Sequence, residues 1–121
     1  MHHARMQKYA DGVLDRLDAE GAVSARLYRE SCTLHNGVYV KDLARLGRSL
    51  DRTILVDNSA LSYSFQPSNG LLSATFLDDR NDAGLRKILE VLTHVQSEAD
   101  VRKALPKACA QVGYSGALPE Q

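Results

Sequence analysis

The hydrophobic run Thr53-Ile54-Leu55-Val56 passes straight into Asp57-Asn58-Ser59 without alternation. Such a run predicts a strand buried on both faces, of the kind found in parallel α/β sheets. Leu71 to Leu77 predicts a second buried strand ending at Asp78-Asp79, after a turn at Pro67-Ser68-Asn69-Gly70. Ala25–Tyr28 predicts a third, shorter one. Helical spacing puts Tyr9, Val13, Leu14 and Leu17 on one side of a helix over Gln7–Ala19, stopped by Glu20-Gly21. Leu85, Ile88, Leu89, Val91, Leu92 and Val95 give the strongest amphipathic helix, over Gly84–Val95. A further helix opens at Ser97-Glu98-Ala99-Asp100-Val101 with a serine cap, and Pro106 is expected to end or kink it. Thr33-Leu34-His35 and Val38-Tyr39-Val40 flank Asn36-Gly37, the best hairpin signal in the sequence. Asp42 to Gly47 suits one helical turn. The expectation is an α/β chain whose strands near Ala25–Tyr28, Thr53–Val56 and Ser73–Leu77 are parallel neighbours with helices packed on them.

Composition narrows the functional classes. The 121 residues, 44% hydrophobic, suffice for one compact domain and not for two. Fifteen basic and fifteen acidic side chains cancel, which argues against a general binder of nucleic acid or membrane surfaces. No apolar run is long enough to span a membrane, and the first residues lack a signal-peptide core. Cys32 and Cys109 are too few for a disulfide framework or a zinc site, so a reducing intracellular compartment, nuclear or cytoplasmic, is expected. The one tail-like piece is Gly113 to Gln121.

Ligands of open α/β sheets bind just outside the carboxyl ends of the strands, which draws attention to Asp57 and Asn58. The competing reading of Asp57-Asn58-Ser59 is an ordinary turn after a strand. Lys41, at the exit of the hairpin's second strand, adds a cation sixteen positions earlier. Arg29 follows a strand, and its guanidinium can grip a phosphorylated group through paired hydrogen bonds. A surface arginine paired with Glu30 or Asp42 is the alternative. His35 fits a solvated strand residue better than a ligand, and Asp78-Asp79 fits N-capping better than metal binding.

Leu27-Tyr28-Arg29-Glu30-Ser31-Cys32, then Gly37-Val38-Tyr39-Val40-Lys41-Asp42-Leu43-Ala44-Arg45-Leu46-Gly47-Arg48, then Val56-Asp57-Asn58-Ser59 occur in one order. Together they resemble the C-terminal half of small C-terminal-domain phosphatases, the FCP/SCP branch of the haloacid dehalogenase superfamily. These domains are also described as NLI-interacting-factor-like. The resemblance runs from about Lys8-Tyr9-Ala10-Asp11 to Asp100. It implies a partial Rossmann-like, haloacid dehalogenase-like parallel sheet with flanking helices and a β-hairpin, its N-terminal strands missing. Residues 1–110 would be the C-terminal part of the phosphatase domain, and 111–121 a flexible tail.

By the same resemblance Asn58 is a magnesium ligand, Asp57 orients the metal's water or Lys41, Lys41 balances nucleophile and phosphate, and Arg29 binds substrate phosphate. The family's Asp-x-Asp-x-Thr nucleophile motif has no counterpart: no Asp-x-Asp occurs in the 121 residues. The family's phosphate-binding hydroxyl falls on His3, with Arg5 two residues on, so that role does not transfer. The expected function is the C-terminal portion of a magnesium-dependent phosphoserine/phosphothreonine protein phosphatase, inactive alone. Its expected partners are a phosphoprotein, such as the RNA polymerase II C-terminal domain, and a complementing N-terminal half. The alternative is a non-catalytic protein-binding module, a pseudophosphatase or a relative of the mitochondrial import receptor of this branch. Because the family's missing half contributes strands to the same sheet, one edge of the Thr53–Asp57 strand should be unpaired or poorly covered.

Overall fold

The structure, a computed structural model, describes residues 7–73 and 84–115. They divide into two compact units, 1–42 and 43–121, where composition suggested one domain.

In the first unit, α1 (Gln7–Leu17) leads to an extended segment, a 3-10 turn at Arg29–Ser31, and a hairpin of β1 (Thr33–His35) and β2 (Val38–Val40). The hairpin is as the sequence predicts: Thr33 faces Val40 and His35 faces Val38 in antiparallel register. Its two-residue loop needs positive φ at both positions, and Asn36 (51°) and Gly37 (77°) supply it. The apolar face of α1 differs from expectation. Ala10 and Leu14 are buried, while Tyr9, Val13 and Leu17 are exposed, Leu17 at 77%. The cause is polar. Arg26 donates to Asp11 at 3.0 Å and to Asp15 at 2.9 Å, and the Tyr28 hydroxyl donates to Asp11 at 2.5 Å. Residues 26 and 28 project to the same side of an extended chain, so together they fix which side of α1 faces it. That segment does not become the expected strand; of residues 25–28, Leu27 alone makes a bridge.

In the second unit, β3 (Leu55–Asp57) and β4 (Gly70–Leu72) form a parallel pair, with Leu55 opposite Gly70 and Asp57 opposite Leu72. The twelve residues 58–69 between them carry two 3-10 turns, Ala60–Tyr63 and Pro67–Asn69. Asn69, 2% exposed, ties the start of β3 to the start of β4: its side-chain amide donates to Leu50 O at 2.6 Å and Thr53 O at 2.8 Å. At Gly70 a β-carbon would lie 2.2 Å from Tyr63 Cδ2, so only glycine lets the buried ring lie against the strand.

Helices α2 (Gly84–Val95) and α3 (Val101–Val112) pack on this pair. Leu71, Ile88, Val91, Val95, Val101, Leu105, Ala108 and Cys109 form the core, with Ile54 against it. Leu85 and Leu89, counted with the apolar face of α2 in the sequence, are exposed at 69% and 65%. The cap of α3 is Asp100 rather than Ser97. Asp100 is extended and its carboxylate accepts from Arg102 N–H at 3.0 Å. Pro106 lies inside α3 without ending it. The lost hydrogen bond is offset by Leu105, Ala108 and Cys109, which bury themselves on both sides of it in sequence. Cys109 packs as a small apolar residue, as expected. The helix runs past the boundary expected at 110 to Val112, and the Tyr114 hydroxyl donates to Leu72 O at 2.6 Å.

The parallel sheet of the sequence reading is therefore present in reduced form. The described strands make two two-stranded sheets, and the parallel one contains β3 and β4 alone. Strand β3 is not buried on both faces, because Val56 is 38% exposed and the described residues add no second neighbour. The expected strand Ser73–Leu77 and the pair Asp78-Asp79 lie outside the described residues, apart from Ser73, whose N–H extends the ladder to Asp57 O at 2.9 Å.

Asn69→Ala takes the side-chain donor from two part-buried carbonyls, of which Leu50 O keeps the Thr53 N–H, and is expected to cost about 1–3 kcal/mol in urea unfolding, the cost of one unmet group. The Asp11–Arg26–Tyr28 cluster predicts a pH window. The Tyr28 and Arg26 hydrogen bonds lower the Asp11 pKa from 3.8, so its stabilisation is present above 3.8 and lost as pH falls through the lower folded value. Accepting its proton, Asp11 raises the Tyr28 pKa from 10.0, and that contribution is lost as pH rises through the higher folded value. In Tyr28→Phe the urea midpoint should lose part of its dependence at both limits.

Candidate functional site

β3 delivers Asp57 and Asn58 to its carboxyl end, where the sequence reading put them. Asp57 is half-buried and Asn58 exposed. One oxygen of Asp57 is already engaged, because Oδ1 accepts the Ser59 N–H at 2.9 Å and closes an Asx turn. The turn reading and the site reading thus describe one residue, with Oδ1 holding the backbone that carries Asn58. Burial raises the pKa of Tyr63 above 10.0, and the nearby Asp57 carboxylate adds to this, so the phenol stays neutral beneath the strand end.

Arg29 and Lys41 belong to the first unit. Lys41 is half-buried and directly follows β2, whose last residue, Val40, is 1% exposed. Arg29 is exposed at the head of its 3-10 turn, and its guanidinium carbon lies 5.4 Å from the centre of the Tyr39 ring. The stacking holds the guanidinium at the edge of a cleft of about 590 Å³ that Lys8, Arg29, Glu30 and Tyr39 line. The structure thus pairs Asp57 with Asn58, and Arg29 with Tyr39.

The donor set at the end of β3 does not by itself fit magnesium. A hard divalent ion takes several oxygen ligands, carboxylates prominent among them. Here Asn58 offers a neutral oxygen and Asp57 has one oxygen committed to Ser59. Among the described residues no three His, Cys, Asp or Glu side chains gather as a metal site would require. No helix among them is long and apolar enough to cross a membrane.

Residues the sequence reading passed over also position this end of the fold. Gln66 Oε1 accepts the Leu43 N–H at 3.0 Å, and Arg52 donates to Gln96 O at 2.8 Å and to Glu98 O. Arg52 thereby joins the approach to β3 to the connection between α2 and α3. Asn69 read as part of a turn, and nothing in a Pro-Ser-Asn-Gly run signals a buried amide.

Replacing Asp57 separates its two roles. Asp57→Asn keeps an acceptor for Ser59 N–H and is expected to change stability by under about 0.5 kcal/mol, whereas Asp57→Ala should cost roughly 0.5–1.5 kcal/mol. Urea unfolding of both variants measures the difference.

Comparison with known proteins agrees with the order of these motifs. The chain is 44% identical over 108 residues to a mouse CTD small phosphatase-like protein, covering 89% of this chain and 39% of the mouse protein. It is 46% identical over 102 residues to human carboxy-terminal domain RNA polymerase II polypeptide A small phosphatase 1, covering 84% and 39%. A probable C-terminal domain small phosphatase of Dictyostelium discoideum is 47% identical over 105 residues, covering 87% and 34%. The chain thus spans about two fifths or less of the length of these relatives. The sequence pattern of the NLI interacting factor-like phosphatases matches residues 3–102, and the chain belongs to that family.

Proposed function

We propose that these residues are the lysine-bearing C-terminal part of a magnesium-dependent phosphoserine/phosphothreonine protein phosphatase, and that they need a second segment to act. The observation that carries this reading is the end of β3. A parallel strand offers Asp57 and Asn58 at its carboxyl end, while only one of its edges is paired among the described residues. The apolar side chains of Val56, Leu61, Phe65 and Leu72 are exposed in the same unit. Exposed apolar side chains and an open strand edge in one unit are costly in isolation and suit a further strand. That strand would carry the Asp-x-Asp-x-Thr motif and bring the carboxylates that the magnesium site lacks. In the first unit, Tyr9, Val13 and Leu17 of α1 are a separate exposed apolar surface.

In a completed site Asn58 would lend an oxygen to a magnesium ion, which would offset phosphate charge, and Asp57 would orient the ion's water or Lys41. Lys41 offsets the charge of nucleophile and phosphate, and Arg29 engages the substrate phosphate. The substrate class is a phosphoprotein, and the names of the relatives favour the RNA polymerase II C-terminal domain. The place of work is the nucleus or cytoplasm. Residues 1–110 make up the contribution to the phosphatase domain, and α3 carries it two residues further before the tail.

The test is hydrolysis of a small aryl phosphate with magnesium. The chain alone is expected to give the blank rate, because an aspartyl-phosphate route needs a carboxylate placed to attack phosphorus. Adding a polypeptide that carries an apolar strand and Asp-x-Asp-x-Thr should restore turnover, and Lys41→Ala or Asn58→Ala should lower it at least about tenfold, the loss of one charge-assisted contact. Magnesium-dependent turnover by the chain alone that vanishes in Asp57→Asn would make Asp57 catalytic and end this account. No turnover in either experiment favours the protein-binding module.

A further inference from the structure

The α2–α3 hairpin carries a groove made of side chains other than those at the end of β3. Its volume is about 320 Å³, at the lower limit of ligand-sized clefts. Val95 of α2 and Ala104 and Ala108 of α3 contribute its apolar floor, and Val95 and Ala108 are buried. The depth comes from the alanines: at i and i+4 they leave a trough where larger side chains would fill the space between helices. Lys103 and Lys107, also four apart, stand along one rim, with His94 contributed by α2.

The charge of this rim has a small positive excess. Lys103 and Lys107 are exposed and form no ion pair among the described residues. Of the two carboxylates at the groove, Asp100 is taken up by the cap of α3 and by two hydrogen bonds from the Arg102 guanidinium, both 2.9 Å. Glu98 opposes the lysines from one end and the Asp100 carboxylate also acts on Lys103 through space, so the excess is the one cation left once Arg102 balances Asp100 and Glu98 balances a lysine. In a chain with fifteen positive and fifteen negative side chains, this excess is local rather than general.

We propose that the groove docks an acidic amphipathic segment of a partner protein, placing apolar side chains over Ala104 and Ala108 and carboxylates against Lys103 and Lys107. Side chains four apart on a helix lie about 5–6 Å from one another, so carboxylates at i and i+4 of the incoming segment match the spacing of the two lysines. An apolar floor with a charged rim suits a peptide better than a free anion, which would gain nothing from the floor. The helix-in-groove mode of recognition uses this combination.

The experiment is fluorescence anisotropy with the full chain and a labelled amphipathic peptide bearing leucines on one face and glutamates four apart beside them. Binding should weaken with added salt. It should fall at least about tenfold in the Lys103→Glu, Lys107→Glu double variant, the loss expected for one charge-assisted contact or more. The same peptide with lysines for glutamates should bind that variant better than it binds the native chain. Ala104→Leu, which fills the floor and leaves the charges alone, should also abolish binding, with circular dichroism showing both variants folded. No binding to the native chain overturns the proposal. So does loss on charge reversal without loss in Ala104→Leu, which would reduce the interaction to surface attraction. Displacement of the peptide by inorganic phosphate, but not by chloride at equal ionic strength, overturns it in favour of a simple anion site.

Discussion

The buried amide of Asn69 is the constraint on which the second unit depends. A parallel pair of three residues each is too short to hold its own register, and nothing in Leu55-Val56-Asp57 against Gly70-Leu71-Leu72 singles out one alignment by side-chain fit. Asn69 removes the ambiguity by donating to Leu50 O and Thr53 O just before β3, while its own backbone runs directly into β4. Gly70 then lets Tyr63 lie against β4. Leu71, opposite Val56, enters the helical core instead of solvent. The position of Asp57 and Asn58 thus follows from an amide twelve residues downstream of the strand that bears them.

The elements most legible in the sequence were those whose signal is local. Asn36-Gly37 specifies a turn by backbone conformation alone, and the hairpin formed in the expected register. The periodicities of α1 and α2 gave their extents to within two residues. What the sequence could not reveal was which apolar residues find a partner. Tyr9, Val13 and Leu17, and likewise Leu85 and Leu89, have the spacing of a core face, yet they are exposed. Periodicity reports what a helix can bury, whereas burial depends on what is packed beside it. Non-local polar ties were hidden for the same reason. Arg26 and Tyr28 read as strand residues, and only the fold brings them to Asp11.

The placement of the candidate residues was legible in a similar measure. Position at a strand's carboxyl end identified Asp57 and Asn58, because that placement follows from chain order alone. The Asx turn at Asp57 is a refinement that the sequence offered only as an alternative. The roles of Lys41 and Arg29 came from resemblance, and what the structure adds is local: a lysine leaving a buried β2 terminus and a guanidinium stacked on Tyr39.

The exposed apolar positions and the incomplete donor set have one economical explanation. Val56, Leu61, Phe65 and Leu72 cost free energy where they stand exposed, since each apolar side chain left in water forgoes roughly 25 cal/mol per Å² of burial. Among the described residues of the same unit, no group of carboxylates sufficient for a magnesium ion gathers. A single strand that supplies both apolar side chains and acidic residues would correct the two deficits together. A protein-binding partner would cover the apolar surface but gives no reason for Asp57 and Asn58 to stand at a strand's carboxyl end. That asymmetry is why the half-enzyme reading ranks above the binding module.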